Sequence, residues 1–592
     1  MSNFKLLRVL SLNGYHISTL PKSVGDMKLL RLLDLSRTQI DHLPDMICRL
    51  YNLQILLLSH CLYLKKLPSE ICNLVNLRRL DVDGTNLEEM PDGIRRMKNI
   101  RTLSNFIIGR GKSNQMREFK ELVNLQGKLH ISRLNNVEDA NDVVIAGFKQ
   151  KEYLEGLVLE WEAPSEQDEK VLDAIEAHKN LKSLTIKGYG GKRLSDWIVG
   201  VSPSFNAMVS LRITDCFNCE ALPPLGNLPF LRDLELERLD RVESIGEEFY
   251  GDIDTPFQSL EKLTIVGMKV LKTWCFPGIN VRAAAFQALE DLQIRTCPEL
   301  TKIPYCFPSL SGLLIESCDN LVKFEIGPNY LTKLSTLMIY NCEALECLPD
   351  EFQKATTLRS LFMDGCPNLC ATEAFGFPAN LRILRIRNCG KMKPFVKTVL
   401  PTLTSLTLLE LRGFPDITSL DHCLPESIQT LKIWSFPRLK SLTGVLPNLK
   451  HLRKLDVEDC PRLRVLARNN LAADLNRSVT LEPESHGGSA NRARRLLPQP
   501  RLAAASMQYM QALAQSNTLI FSLKLTKAHH ALRRPALLLQ RRHQLLIRLE
   551  AERDSLLVLG ALPWGAPELH RVWRAGLEIG RAERVCWCGM TV

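Results

Sequence analysis

The stretch "LRLLDLSRTQIDHLP", Leu30 to Pro44, decides the fold. Leu33 and Leu35 are two apart, so on a short extended segment both side chains point the same way. The closing Leu-Pro ends the segment, because proline cannot continue a hydrogen-bonded ladder. The same frame begins at Leu7 in "LRVLSLNGYHISTLP" and at Leu53 in "LQILLLSHCLYLKKLP". It returns in "LRITDCFNCEALP", "LQIRTCPELTKIP", "LMIYNCEALECLP" and "LDVEDCPRLRVL".

The residue five places after the central apolar position serves as a ruler. It falls at Tyr15, Thr38, Cys61, Thr85, Leu134, Glu162, Tyr189, Cys216, Leu239, Met268, Cys297, Cys318, Cys342, Cys366, Cys389, Phe414, Phe436 and Cys460. These 18 units are 21 to 29 residues apart, except for 49 between Thr85 and Leu134. A weaker strand, "LSNFII", ending at Ile108, divides that gap into 23 and 26. Such periods and such a signature indicate a leucine-rich-repeat solenoid, an α/β horseshoe with a parallel concave sheet. No unit can bury its leucines alone, so stability is shared between neighbours. The array is expected over 1–466, irregular over 103–205, followed by a linker at 467–500. Residues 501–592 read as a basic, Arg/Leu/Ala-rich tail, helical or disordered.

Of 592 residues, 45% are apolar and 24% charged, ordinary values for a soluble protein. The net charge of +11 is uneven: residues 471–592 carry 17 basic and 9 acidic residues, leaving +3 for the rest. The basic pI therefore says little about nucleic acid, and no nucleic-acid partner is expected. No secretory signal and no span of 18 apolar residues is visible. One glycosylation sequon, at Asn476, lies outside the array. The cytosol is the expected compartment, with the nucleus or a membrane periphery as alternatives, and most of the 18 cysteines are expected to be free thiols.

Several motifs suggest chemistry. "GRGKS", ending at Ser113, resembles a phosphate loop, whose first glycine would stand at position 106. Phe106 stands there. "DVDG", Asp81 to Gly84, lacks the remaining calcium ligands. Cys216 and Cys219 form one C-x-x-C without a second pair. Eight of the 18 cysteines occupy ruler positions, where a small apolar group with a weak S–H donor suits a turn. Cys586 and Cys588 lie in the tail. The histidines form no metalloprotease motif and there is no nucleophile elbow. Neither a cofactor nor an enzymatic activity is expected.

The repeat variant "FKLLRVLSLNGYHISTLPKSVGDMKLLRLLDLSRTQIDHLP" resembles the repeat domain of plant intracellular nucleotide-binding, leucine-rich-repeat disease-resistance proteins, coiled-coil class. The LxxLP closures, the Cys or Thr rulers, the later "CPxL" and the segment "IRTLSNFIIGRGKSNQMREFKELVNLQGKLHISRLNNVEDANDV" carry the resemblance, over roughly 3–466. It implies recognition of protein partners in plant defence: pathogen effectors, host proteins they modify, or a nucleotide-binding switch domain on another chain. The sequence begins within the first repeat, so a truncated receptor is the expectation. A ubiquitin-ligase substrate adaptor or a non-functional receptor fragment are the alternatives.

Residues between and just after the paired apolars should face the concave side. Arg37, His60, Asp83, Trp161, Arg295, Glu316, Tyr340, Asp364, Arg387, Arg412, Trp434 and Glu458 are the expected protein-binding positions. Trp161 and Trp434 carry the most weight, since tryptophan and arginine dominate interface energetics. Residues 292–460 are the preferred region.

Overall fold

The computed structural model describes residues 5–463 and the backbone of 479–481, apart from 112, 200–206, 277–284, 305, 327–332, 350–351 and 371–376. The expected tail, 501–592, lies outside the described residues.

Each Leu-x-Leu segment forms a short strand, and consecutive strands pair in parallel. The first sheet has five: Val9–Ser11, Leu32–Asp34, Ile55–Leu57, Arg79–Asp81 and Thr102–Leu103. Sixteen more, from Asn105–Ile107 to Val479–Leu481, form the second sheet in strict chain order. The last of these falls within the segment read as linker. Registers keep like on like: Leu234 pairs with Leu263, and Leu263 with Leu292. The leucines therefore stack into one continuous apolar core along the array.

Strand separation occurs inside the degenerate unit. Thr102–Leu103 pairs back to Arg79–Asp81, whereas Asn105–Ile107 pairs forward to Gly127–Ser132. Ser104 sits at the break. Its hydroxyl accepts the Val82 N–H at 2.7 Å, replacing the ladder carbonyl lost there.

The prolines closing the early units start the return segments. Pro21, Pro44 and Pro68 immediately precede 3-10 turns at Lys22–Asp26, Asp45–Arg49 and Ser69–Asn73. Where spacing lengthens, the return becomes α-helical, at Ala140–Ala146 and Asp168–Ala174. Asp139 caps the first of these, its carboxylate accepting the Asn141 N–H at 2.9 Å.

The turn after the strand follows one rule. The residue before the ruler has positive φ in 17 of the 18 units, whether glycine (Gly365, φ 67°) or not (Arg37, φ 58°; Asn388, φ 52°). This left-handed residue reverses the chain and lets the ruler side chain point inward. Ruler cysteines then donate to the carbonyl two residues back: Cys297 to Arg295 and Cys342 to Tyr340, both at 3.4 Å, and Cys389 to Arg387 at 3.1 Å. This is the turn-stabilising role expected of them. Burial pushes the Cys297 thiol up to about 11. Trp161 occupies the eighteenth such position and lacks the left-handed turn.

Candidate functional site: the concave face of the later repeats

Each five-residue strand presents its first, third and fifth residues to the concave side, and the registers align them into three columns. The fifth-position column contains Arg295, Glu316, Tyr340, Asp364, Arg387, Arg412, Trp434 and Glu458, which are therefore brought together as expected. Arg295 lies 3.8 Å from Glu316. Burial pushes the Tyr340 hydroxyl up to about 12 and raises the Asp364 carboxyl above its usual range. Asp83 is exposed just beyond its strand, in the early units.

Three expected positions are placed differently. Arg37 and His60 are exposed, but they occupy the left-handed turn position rather than the strand. Trp161 is interior: it is 3% exposed and packs edge-on against Tyr189, centroids 5.3 Å apart. The outward residue of its strand is Glu160. The physical reason is register: Trp161 follows the last outward residue by one place, and a strand's faces alternate at every residue.

The middle column completes the site and was not singled out from the sequence. It runs Leu314, Met338, Phe362, Arg385, Glu410, Lys432 and Asp456. Glu410 is fully buried between two arginines. Arg387 Nε donates to its Oε1 at 2.6 Å, and Arg385 Nε lies 3.3 Å from Oε2. The Arg385 guanidinium also sits over the Phe362 ring at 5.1 Å. Asp456 takes Lys454 at 3.2 Å and Lys432 at 3.9 Å. Arg387 and Lys432 lie 5.6 and 5.4 Å from the Trp434 ring centroid, within cation–π range.

Arg412 differs from these cations. It is exposed and makes no ion pair among the described residues. It lines a cleft of about 280 Å³ with Trp434, Ser435, Glu458 and Asp459. An indole, a free guanidinium and nearby carboxylates on one rigid sheet can hold polar and aromatic groups of another protein.

The "GRGKS" segment is arranged otherwise. Phe106 is buried against Phe119, centroids 4.5 Å apart. The Gly109 N–H donates to Gln115 Oε1 at 3.1 Å, while Gln115 Nε2 reaches the Met90 carbonyl at 2.8 Å. That amide serves the fold. Asp81 of "DVDG" takes Arg79 at 3.2 Å. The Cys216 and Cys219 thiols are buried and donate to the carbonyls of Thr214 and Ala221. No helix among the described residues is long and apolar enough to cross a membrane.

The fold and surface define a leucine-rich-repeat solenoid with a chemically varied concave sheet. Comparison narrows this. Residues 116–239 match the family described as R13L1/DRL21 LRRs. A disease resistance protein of Arabidopsis thaliana is 41% identical over 329 residues, covering 53% of this chain and 23% of the relative. Disease resistance protein RGA2 of Solanum bulbocastanum is 40% identical over 366 residues, covering 59% and 37%. The RPP13-like protein 1 of Arabidopsis thaliana is 34% identical over 340 residues, covering 49% and 32%. The repeats are similar to those of plant disease resistance proteins, and the chain spans 23 to 37% of the length of these relatives. Among solved structures, a leucine-rich-repeat protein of Leptospira interrogans is similar at 16% identity and TM-score 0.33, covering 81% of this chain and 97% of that one. The plant peptide hormone receptor RGFR1, solved with RGF2, is similar at 17% identity and TM-score 0.31, covering 81% and 95%.

Proposed function

We propose that this chain is a non-enzymatic protein-recognition region acting in plant defence, and that it binds through the concave strip from Ile383 to Glu458. The observation that carries the reading is the Arg412–Trp434 pair. Neighbouring cations are neutralised within the sheet, whereas Arg412 stays unpaired beside a partly exposed indole. Buried, pre-set charge pairs hold that indole in place, which lowers the ordering cost of binding. The partner class is a pathogen effector, a host protein altered by one, or a nucleotide-binding switch domain. A ligand preferring the free strip would compete with a resting contact there. The test is co-precipitation of the full chain with a nucleotide-binding domain from a disease resistance relative and with candidate effectors. Trp434→Ala and Arg412→Glu should each weaken the captured complex by at least about tenfold, as central aromatic and arginine contacts do. Unchanged binding by both variants would remove the strip from the interface.

A further inference from the structure

A second cleft lies elsewhere, at the ends of the strands Leu154–Glu160, Ser183–Lys187 and Ser210–Thr214. Its volume is about 330 Å³, at the lower end of the roughly 300–1,000 Å³ range for ligand pockets. It opens where the turn rule fails. In the other units the left-handed residue folds the chain back at once. At Trp161 the indole occupies the interior instead, and the chain continues outward through Glu162, Ala163 and Pro164 before the helix at Asp168. The next turn comes close through glycine, since a Cβ on Gly188 would lie 2.1 Å from the Trp161 carbonyl oxygen.

Trp161, Pro164, Tyr189 and Phe217 supply the apolar lining. Phe217 is 45% exposed, a large ring left half in water. Four charged residues stand on the rim, and each is already paired. Glu160 takes His130 at 2.9 Å and Lys187 at 2.6 Å. Glu162 takes Arg133 at 2.9 Å, and Asp215 takes Arg238 at 2.5 Å. The rim offers an incoming group no unmatched charge, while the wall offers rings. A charged side chain entering here would lose water and find no free counter-ion, which is unfavourable.

We infer that this cleft is a second docking site, which receives one uncharged aromatic or branched aliphatic side chain from a protein partner. It lies apart from the Arg412–Trp434 strip and does not depend on it.

The full chain is labelled with 5-fluorotryptophan, and the Trp161 fluorine resonance is assigned from its loss in Trp161→Phe. N-acetyl-phenylalaninamide and N-acetyl-leucinamide should shift that resonance saturably. N-acetyl-lysinamide and N-acetyl-aspartamide should not. Phe217→Ser should weaken the effect at least about tenfold, Phe217→Leu should retain it, and Trp434→Ala should leave it unchanged. The site is overturned if no probe gives a saturable shift, if the charged amides act equally, or if Phe217→Ser binds like the wild type. A failure of Trp434→Ala to affect partner capture would count against the concave strip only.

Discussion

Glu410 is fully buried within the concave sheet, and its carboxylate accepts from Arg387 Nε at 2.6 Å across neighbouring strands. The pair anchors the charged part of the strip, because Arg387 also supports the Trp434 ring. Truncating one partner leaves a charge in the interior without its match. Arg387→Ala should therefore cost about 3 kcal/mol, the lower end of the range for a broken buried pair, since Arg385 remains beside the carboxylate. Replacing both, Arg387→Met with Glu410→Leu, should recover most of that loss. Hydrogen exchange of strands Ile383–Arg387 and Leu408–Arg412 reads the local effect, which suits an array whose units open separately.

Gly365 tests the turn rule. At φ 67° an added Cβ would lie 2.3 Å from Asn341 Oδ1. Gly365→Ala should lose about 1–2 kcal/mol from the left-handed backbone, plus the clash. Gly111→Ala, with positive φ but open space around it, should lose only the backbone part. Urea unfolding of the two variants separates these contributions.

Lys151 carries a pH dependence. It is buried, with Nζ donating to the Phe119 carbonyl at 2.7 Å, and desolvation lowers its pKa to about 8. Unfolded lysine titrates near about 10.4, so between these values the unfolded chain binds more protons. Stability from this group therefore rises as pH rises from about 8 to about 10.4. Lys151→Met should flatten that rise in urea titrations across the window.

Glu160 runs the other way. The hydrogen bond to His130, with that to Lys187, holds its carboxyl down at about 2. Its contribution is present above the unfolded value of about 4.3 and is lost as pH falls through about 2. Glu160→Gln should be less stable than the wild type at neutral pH, and the difference should shrink steadily in acid.

The cysteines should sort by burial. Cys275 is exposed, whereas Cys216, Cys297, Cys318 and Cys342 are buried ruler thiols. Iodoacetamide on the native chain, followed by peptide mass spectrometry, should modify Cys275 well before these four. Equal labelling would refute the buried turn-stabilising role.

The strands and core were legible from the sequence because alternation is a local signal: two leucines two residues apart fix a strand and its inward face. The left-handed turn was not, because Gly, Asn, Arg, Thr and Ser share only a backbone angle there. That is why Arg37 and His60 stand in the turn rather than on the strand, whereas Trp161 lies one place beyond the last outward residue, Glu160, and so turns inward. Glu410 and Arg385 were missed for another reason. Their meaning depends on cross-strand register, and a buried glutamate reads as a surface charge until Arg387 is placed next to it. Phe362 reads as ordinary core.

The repeated left-handed residue has a practical corollary. It places an identical joint in nearly every unit, so the chain can be cut at one joint and closed at the next without changing phase. Removing Cys366 to Asn388, 23 residues, would bring Gly365 directly before Cys389 and restore a glycine-then-cysteine junction. Differences in unit length, from 21 to 29 residues, are taken up on the far side of the joint and never reach the sheet. The solenoid is thus editable in whole units, which allows the concave strip to be shortened, moved or grafted as a cassette.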